Sequence, residues 1–171
     1  MNTDRSRRAF LRGKFGKTAK TALRPPWSKA DPQFSDACSR CYACIAACPE
    51  RIIVSGDGGF PEIDFNCGEC VFCRACVEAC AEPVFWDPDE IYPWEIVAAV
   101  GDSCLAYHGV FCQSCRESCE AGAIAFPLKP GRTVVPSINA ERCTGCGACV
   151  SVCPVAAVSV AKRGELYTEA L

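Results

Sequence analysis

Apolar positions along this chain come in short, separate groups rather than long periodic runs. Arg51-Ile52-Ile53-Val54 and Phe60-Pro61-Glu62-Ile63-Asp64-Phe65 flank Gly56-Asp57-Gly58-Gly59. Branched and aromatic residues on either side of such a glycine-rich turn predict a hairpin. Ala123-Ile124-Ala125-Phe126 and Thr133-Val134-Val135-Pro136-Ser137-Ile138 flank Lys129-Pro130-Gly131-Arg132 and predict a second one. Ala157-Val158-Ser159-Val160 reads as a closing strand. Between the hairpins, Asp87-Pro88 and Tyr92-Pro93 break the chain, and Trp94, Val97 and Ala98 share a helical face ending at Gly101, a C-cap residue. Residues 84–102 are therefore expected to form a linker with a short helix, packed by Phe85, Trp86 and Trp94.

The first 30 residues follow a different pattern. Leu11, Phe15, Ala19 and Ala22 recur at helical spacing among basic residues, so this stretch is either a basic amphipathic helix or a solvated tail. Pro25-Pro26 stops any helix, and Trp27 suits docking onto the body or onto a partner. Ser6-Arg7-Arg8-Ala9-Phe10-Leu11 matches a twin-arginine export string, yet Arg12, Lys14, Lys17, Lys20 and Arg24 follow where an apolar core of a signal should stand. Export by this segment is not expected. No apolar run approaches the eighteen or so residues of a membrane span.

Charge sharpens the division. Residues 1–30 hold nine Lys/Arg and one acid, a local +8, whereas the remainder holds nine Lys/Arg and nineteen Asp/Glu, a local −10. The layout expected is a basic arm at 1–30, a module at 31–83, the linker at 84–102, a second module at 103–164 and a tail at 165–171.

Cysteine changes the picture most, because 17 of the 171 residues are cysteine. Such density belongs either to disulfide scaffolds or to metal proteins. An odd count and spacings of two or three residues disfavour a fully paired disulfide set. Four-ligand zinc sites use separated Cys-x-x-Cys pairs, not four cysteines in an eleven-residue run. The strongest stretch is Cys143-Thr144-Gly145-Cys146-Gly147-Ala148-Cys149-Val150-Ser151-Val152-Cys153-Pro154, the C-x2-C-x2-C-x3-C-P run of bacterial iron–sulfur ferredoxins.

Three further runs accompany it: Cys38, Cys41, Cys44 and Cys48-Pro49; Cys70, Cys73, Cys76 and Cys80; and Cys104, Cys112, Cys115 and Cys119. A shift of 71 residues carries Cys41, Cys44 and Cys48 onto Cys112, Cys115 and Cys119, and a shift of 73 carries the second run onto the fourth. Two copies of one module follow. The repeat breaks once: the position matching Cys38 is Gly109, and the cysteine stands at 104 with Leu105 to Phe111 looping out. Short helical turns are expected past the third cysteine of each run, where Ala46-Ala47, Val77-Glu78-Ala79 and Val150-Ser151-Val152 pack closely without crowding.

Thiolates are soft ligands suited to iron–sulfur cores. In two-cluster ferredoxins the fourth cysteine of a run ligates the neighbouring cluster. Four [4Fe–4S] sites are thus expected. The first takes Cys38, Cys41, Cys44 and Cys80; the second Cys70, Cys73, Cys76 and Cys48. The third takes Cys104, Cys112, Cys115 and Cys153; the fourth Cys143, Cys146, Cys149 and Cys119. His108 either replaces a thiolate at the third site or lies at the surface, and Cys67 is either a spare thiol or an alternate ligand. Gly145 and Gly147 are expected to bare backbone amides toward the fourth site. The fold class is α+β: two tandem bacterial-type 2[4Fe–4S] ferredoxin modules with a basic N-terminal arm. No dinucleotide loop, Ser/His/Asp set or zincin motif appears, so an enzyme is not expected. The chemistry suits an electron carrier or an accessory protein that assists a larger enzyme; a nucleic-acid partner is not expected.

The chain resembles the NapF family of ferredoxin-type proteins, associated with periplasmic nitrate reductase. The residues that carry the likeness are Ser6-Arg7-Arg8, Leu11-Arg12-Gly13, Arg24-Pro25-Pro26-Trp27, Gly58-Gly59-Phe60-Pro61, Cys70-Val71-Phe72-Cys73-Arg74-Ala75-Cys76, Gly101-Asp102-Ser103-Cys104-Leu105-Ala106-Tyr107 and the first seven residues of the last run. The resemblance implies a cytoplasmic protein that contacts the molybdenum-containing catalytic subunit in its precursor form and assists maturation by supplying electrons or clusters.

Overall fold

The computed structural model describes residues 22–128 and 134–163. The reading of residues 1–21 as helix or tail, the turn at 129–132 and the tail at 165–171 lie outside the described residues. The elements that follow are short. Strands are β1 (Ile53–Ser55), β2 (Pro61–Ile63), β3 (Ile96–Val100), β4 (Ile124–Ala125), β5 (Ser137–Ile138) and β6 (Val158–Lys162). Helices are α1 (Gln33–Ala37), α2 (Ala43–Ala47), α3 (Ala75–Glu78), α4 (Ser114–Glu117) and α5 (Ala148–Ser151).

Both expected hairpins are present. β1 pairs antiparallel with β2, Ile53 facing Ile63, and β4 pairs with β5, Ile124 facing Ile138. The helical turns begin one residue before the third cysteine of each run, so Cys44, Cys76, Cys115 and Cys149 all ride on them.

The helix expected in the 84–102 linker is not formed. Residues 96–100 are strand β3, paired antiparallel along its whole length with β6, from Ile96 facing Lys162 to Val100 facing Val158. Ile96, Val97 and Ala98 are buried in succession, so both faces of the strand are covered. A continuous apolar run of this kind carries no period that separates strand from helix. Its partner lies some sixty residues away, beyond the reach of local pattern.

Module one has a reduced version of the same pairing. Ser28 bridges Phe85; Lys29 N–H donates to Val84 O at 2.9 Å and Trp86 N–H to Trp27 O at 2.8 Å. Shifted by the repeat offsets of 71 and 73, Ser28 and Phe85 fall on Ala99 and Val158, within one residue of the β3–β6 register. The end of the arm is thus an edge of module one. Leu23 O accepts from Ile63 N–H at 2.8 Å, Pro25 is fully buried, and Trp27 is only 4% exposed, docked on the body. Arg24 ties the strap down through Asp31 (3.3 Å) and Glu62 (3.6 Å), with its guanidinium over the Phe34 and Phe60 rings.

Two apolar cores result, each built around cysteine. One contains Cys44, Ile52, Ile53, Phe65, Cys76 and Ile96; the other contains Ala98, Cys115, Ile124, Cys149 and Val158. Val150 and Val160 pack against both, so the two cores share a seam. Of the linker aromatics, Phe85 packs edge-on against Phe34, Trp94 packs edge-on against Phe65 and Phe72, and Trp86 is half exposed under Lys29.

Candidate iron–sulfur centres

The cysteine runs share one backbone trick. The residue before the second cysteine is left-handed in three of the four runs: Arg40 (φ 58°), Phe72 (φ 52°) and Gly145 (φ 74°). The residue two before the third cysteine is left-handed in the same runs: Tyr42 (φ 64°), Arg74 (φ 66°) and Gly147 (φ 85°). Left-handed residues among right-handed ones turn successive N–H groups toward one point, and such nests cradle anions, iron–sulfur cores included. Non-glycine residues tolerate this conformation at a cost of about 1–2 kcal/mol each. Run three departs: Gln113 is at φ −134°, and the chain reaches Cys112 through a one-turn helix at Leu105–His108 with Gly109 at φ 78°.

Gly145 and Gly147 answer a tighter demand than amide display. A Cβ at Gly147 would lie 2.0 Å from the Phe65 ring, and one at Gly145 would lie 2.5 Å from Ile96 Cγ1 and 2.8 Å from Trp94 Nε1. The fourth run needs glycine because module one and β3 press directly on it.

The thiols gather accordingly. One concavity is lined by Cys38, Cys41, Cys44 and Cys80, and another by Cys48, Cys70, Cys73 and Cys76. Each combines three cysteines of one run with the last cysteine of the other. In module two, Cys115 lies within electrostatic reach of Cys104 and Cys112, and Cys149 of Cys146 and Cys143. Cys119, Cys143 and Cys153 pack against the core that Cys115 and Cys149 share. All seventeen cysteines are free of disulfides. Among the described residues, no three thiol, imidazole or carboxylate groups converge tightly enough for a single metal ion.

Burial pushes the third cysteine of each run upward: Cys44 to about 11, Cys76 and Cys149 to about 12, and Cys115 in the same direction. Burial likewise raises Cys70 to about 11. Exposed Cys41 goes the other way, held below the ordinary thiol value by hydrogen bonds from the Ala43 N–H and the Ser39 hydroxyl. A buried thiolate needs a compensating cation, and iron supplies one. Hydrogen bonds to sulfur add support: Ala157 N–H donates to Cys153 Sγ (3.2 Å), Ala123 N–H to Cys119 Sγ (3.3 Å) and Ala98 N–H to Cys143 Sγ (3.5 Å). Trp27, which lines the Cys48–Cys70–Cys73–Cys76 concavity, has its indole N–H buried without a partner. Nests, thiol rings and an orphaned donor fit an anionic, sulfur-rich group, which when bound accepts and releases single electrons.

His108 is exposed and its Nε2 donates to the Asp102 carbonyl at 2.9 Å, away from ligand duty. Cys67 is exposed on the turn after β2. The loop from Leu105 to Phe111 projects Phe111, at 88% exposed. Sequence reasoning had Trp27 docking on the body or a partner and Trp94 packing the linker, but missed the strap's backbone pairing and the seating of Phe65 and Trp94 on the last run; the paired glycines of that run were the available signal.

Comparison with known proteins matches residues 35–51 and residues 136–159 to models described as 4Fe–4S binding domains. These cover the first and last cysteine runs. The chain is 43% identical over 159 residues to the ferredoxin-type protein NapF of Escherichia coli K12, covering 93% of this chain and 96% of that protein. It is 43% identical over 163 residues to NapF of Haemophilus influenzae, covering 90% and 92%. Methylamine utilization ferredoxin-type protein MauM of Methylorubrum extorquens is 32% identical over 161 residues, covering 83% and 73%. With two cysteine-lined cradles and this likeness across nearly the whole length, the chain belongs to the NapF family of ferredoxin-type iron–sulfur proteins.

Proposed function

We propose that this protein is a cytoplasmic, non-enzymatic helper of periplasmic nitrate reductase, acting on the molybdenum-containing catalytic subunit before export by supplying electrons or clusters. Four [4Fe–4S] clusters do the chemistry. The first is held by Cys38, Cys41, Cys44 and Cys80 and the second by Cys70, Cys73, Cys76 and Cys48. The third is held by Cys104, Cys112, Cys115 and Cys153 and the fourth by Cys143, Cys146, Cys149 and Cys119. The observation that carries the reading is the likeness to NapF over 93% of the chain, together with thiols grouped three from one run and one from another. Among the described residues no helix is long and apolar enough to cross a membrane, which is compatible with this role.

The chain supplies three things. Thiol rings hold the iron, N–H groups aimed at sulfur favour the extra electron, and the basic arm offers an electrostatic handle for an acidic partner surface. Steering of that kind weakens as salt rises. Deleting residues 2–21, which spares the Leu23 and Arg24 contacts with the body, is expected to abolish co-purification with the catalytic-subunit precursor while leaving iron per chain unchanged. Co-purification that survives the deletion at moderate salt sinks the arm's role. A second reading is a general electron carrier, which the likeness to MauM favours, since that name belongs to methylamine utilization. Pull-downs separate the two: a dedicated helper retains one precursor, and a carrier retains none.

A further inference from the structure

Among the described residues, the cysteine runs of the two modules touch through their backbones. Cys70 N–H donates to Cys146 O at 2.8 Å, a backbone hydrogen bond between the first cysteine of run two and the second cysteine of run four. Phe65 of module one seats against Gly147, where even a methyl group would collide with the ring. Trp94 covers the joint, its Nε1 donating to Thr144 O at 3.0 Å while its ring meets Phe65 and Phe72 edge-on at 5.8 and 5.9 Å. Within module one, Cys44 and Cys76 are buried in one core; within module two, Cys115 and Cys149 are buried in one core.

We infer that these contacts arrange the four cysteine quartets in a single unbranched row, first, second, fourth, third, with the Cys70–Cys146 hydrogen bond as the crossing between modules. The inference rests on the four-site reading above. Three neighbouring pairs define the row: Cys44 with Cys76, Cys70 with Cys146, and Cys149 with Cys115. The middle link is a short bonded path. It runs from the Cys70 sulfur through Cβ, Cα and N–H, across one hydrogen bond, to the Cys146 carbonyl, Cα, Cβ and sulfur. An electron crossing there leaves the Cys70 side one electron poorer and the Cys146 side one richer, with no bond made or broken. A low-potential one-electron donor loads one end of the row, and a one-electron acceptor protein drains the other. Phe65, Gly147 and Trp94 are positioning residues, because they hold the two backbones at hydrogen-bond distance. The outer quartets then lie at opposite ends, one beside Phe34 and Phe85 and the other beside the Leu105–Phe111 loop.

The test uses the full chain, purified without oxygen and reduced by dithionite. The unsubstituted protein should hold about sixteen irons. Cys41→Ala with Cys112→Ala removes the outer pair and leaves one site in each module at the joint. Electron paramagnetic resonance of this variant should show two magnetically interacting reduced centres. Cys73→Ala with Cys146→Ala removes the inner pair, and its two remaining centres should give isolated signals. Should a variant fail to hold iron, the fully reduced unsubstituted chain decides, since two independent pairs should not suffice to fit its spectrum, and Phe65→Ala should weaken the additional interaction where Phe60→Ala does not. Isolated signals from the inner pair, interaction in the outer pair, or a full spectrum that two separate pairs reproduce overturns the row alone. Iron near eight or twelve in the unsubstituted chain overturns the four-site reading and the row with it.

Discussion

Trp27 has its indole N–H buried with no acceptor, in the wall of the concavity lined by Cys48, Cys70, Cys73 and Cys76. A buried unmatched donor costs about 1–3 kcal/mol, so its retention calls for an acceptor, and cluster sulfur is the one that the proposed function places nearby. Such a bond stabilises the reduced, more negative state. Trp27→Phe keeps an aromatic ring, though a smaller one, and removes the donor, and is expected to lower one midpoint potential of the protein. A net hydrogen bond of about 0.5–1.5 kcal/mol corresponds to roughly 20–60 mV for one electron. Redox-poised spectra resolve a shift of that size, and unmoved potentials would show that the indole serves packing alone. At this scale the thiols were legible from spacing, because ligand geometry dictates how far apart cysteines stand. The need for Gly147 was only half legible. Tyr42 and Arg74 take up the same left-handed conformation with full side chains, so backbone freedom is not the reason. Crowding by Phe65 is, and the chain separation between 65 and 147 hides it from the sequence.

Strand β3 joins the sequence's main misreading to a specific role for an element. Trp94, Val97 and Ala98 fit a helical face, yet three consecutive buried positions and five paired ones make a strand. The hairpins β1–β2 and β4–β5 were readable because their partners adjoin across a turn. β3–β6 and Ser28–Phe85 close each module from afar, and closure of that kind leaves no local trace. β3 also works on the site directly, since Ala98 N–H reaches Cys143 Sγ while its neighbours pair with β6. Ala98→Pro deletes that donor and splints the strand, a loss of about 1–3 kcal/mol for the donor alone. Iron per chain is expected to fall, and because Ile96 of the same strand packs in the core with Cys44 and Cys76, the Trp27 environment should change with it. Full iron content in that variant would show β3 to be dispensable for the site.

For the whole molecule, the apolar material that can hold a fold without cofactor is small. Among the described residues, both cores contain cysteines, the sheets are two-stranded pairs, and the α-helices run four or five residues. Isolated two-stranded pairs are marginal in water, and helices this short do not persist alone. Each metal-bound quartet would join four points of chain, and the last cysteine of each run would cross-link the two halves of its module. Metal binding and folding then become one event, as in small metallodomains. Chelating iron under reducing conditions is therefore expected to abolish far-ultraviolet circular dichroism and expand the hydrodynamic volume in step with iron release, and anaerobic reconstitution with iron and sulfide should restore both. Because Val150 and Val160 pack on both cores and Phe65 seats on Gly147, the two modules should lose structure together rather than in two resolved stages. An iron-free chain that stays compact with its tryptophan signals unchanged would mean that the strap, the seam and the paired strands suffice on their own, and that the thiol rings are preformed rather than drawn together by their cargo.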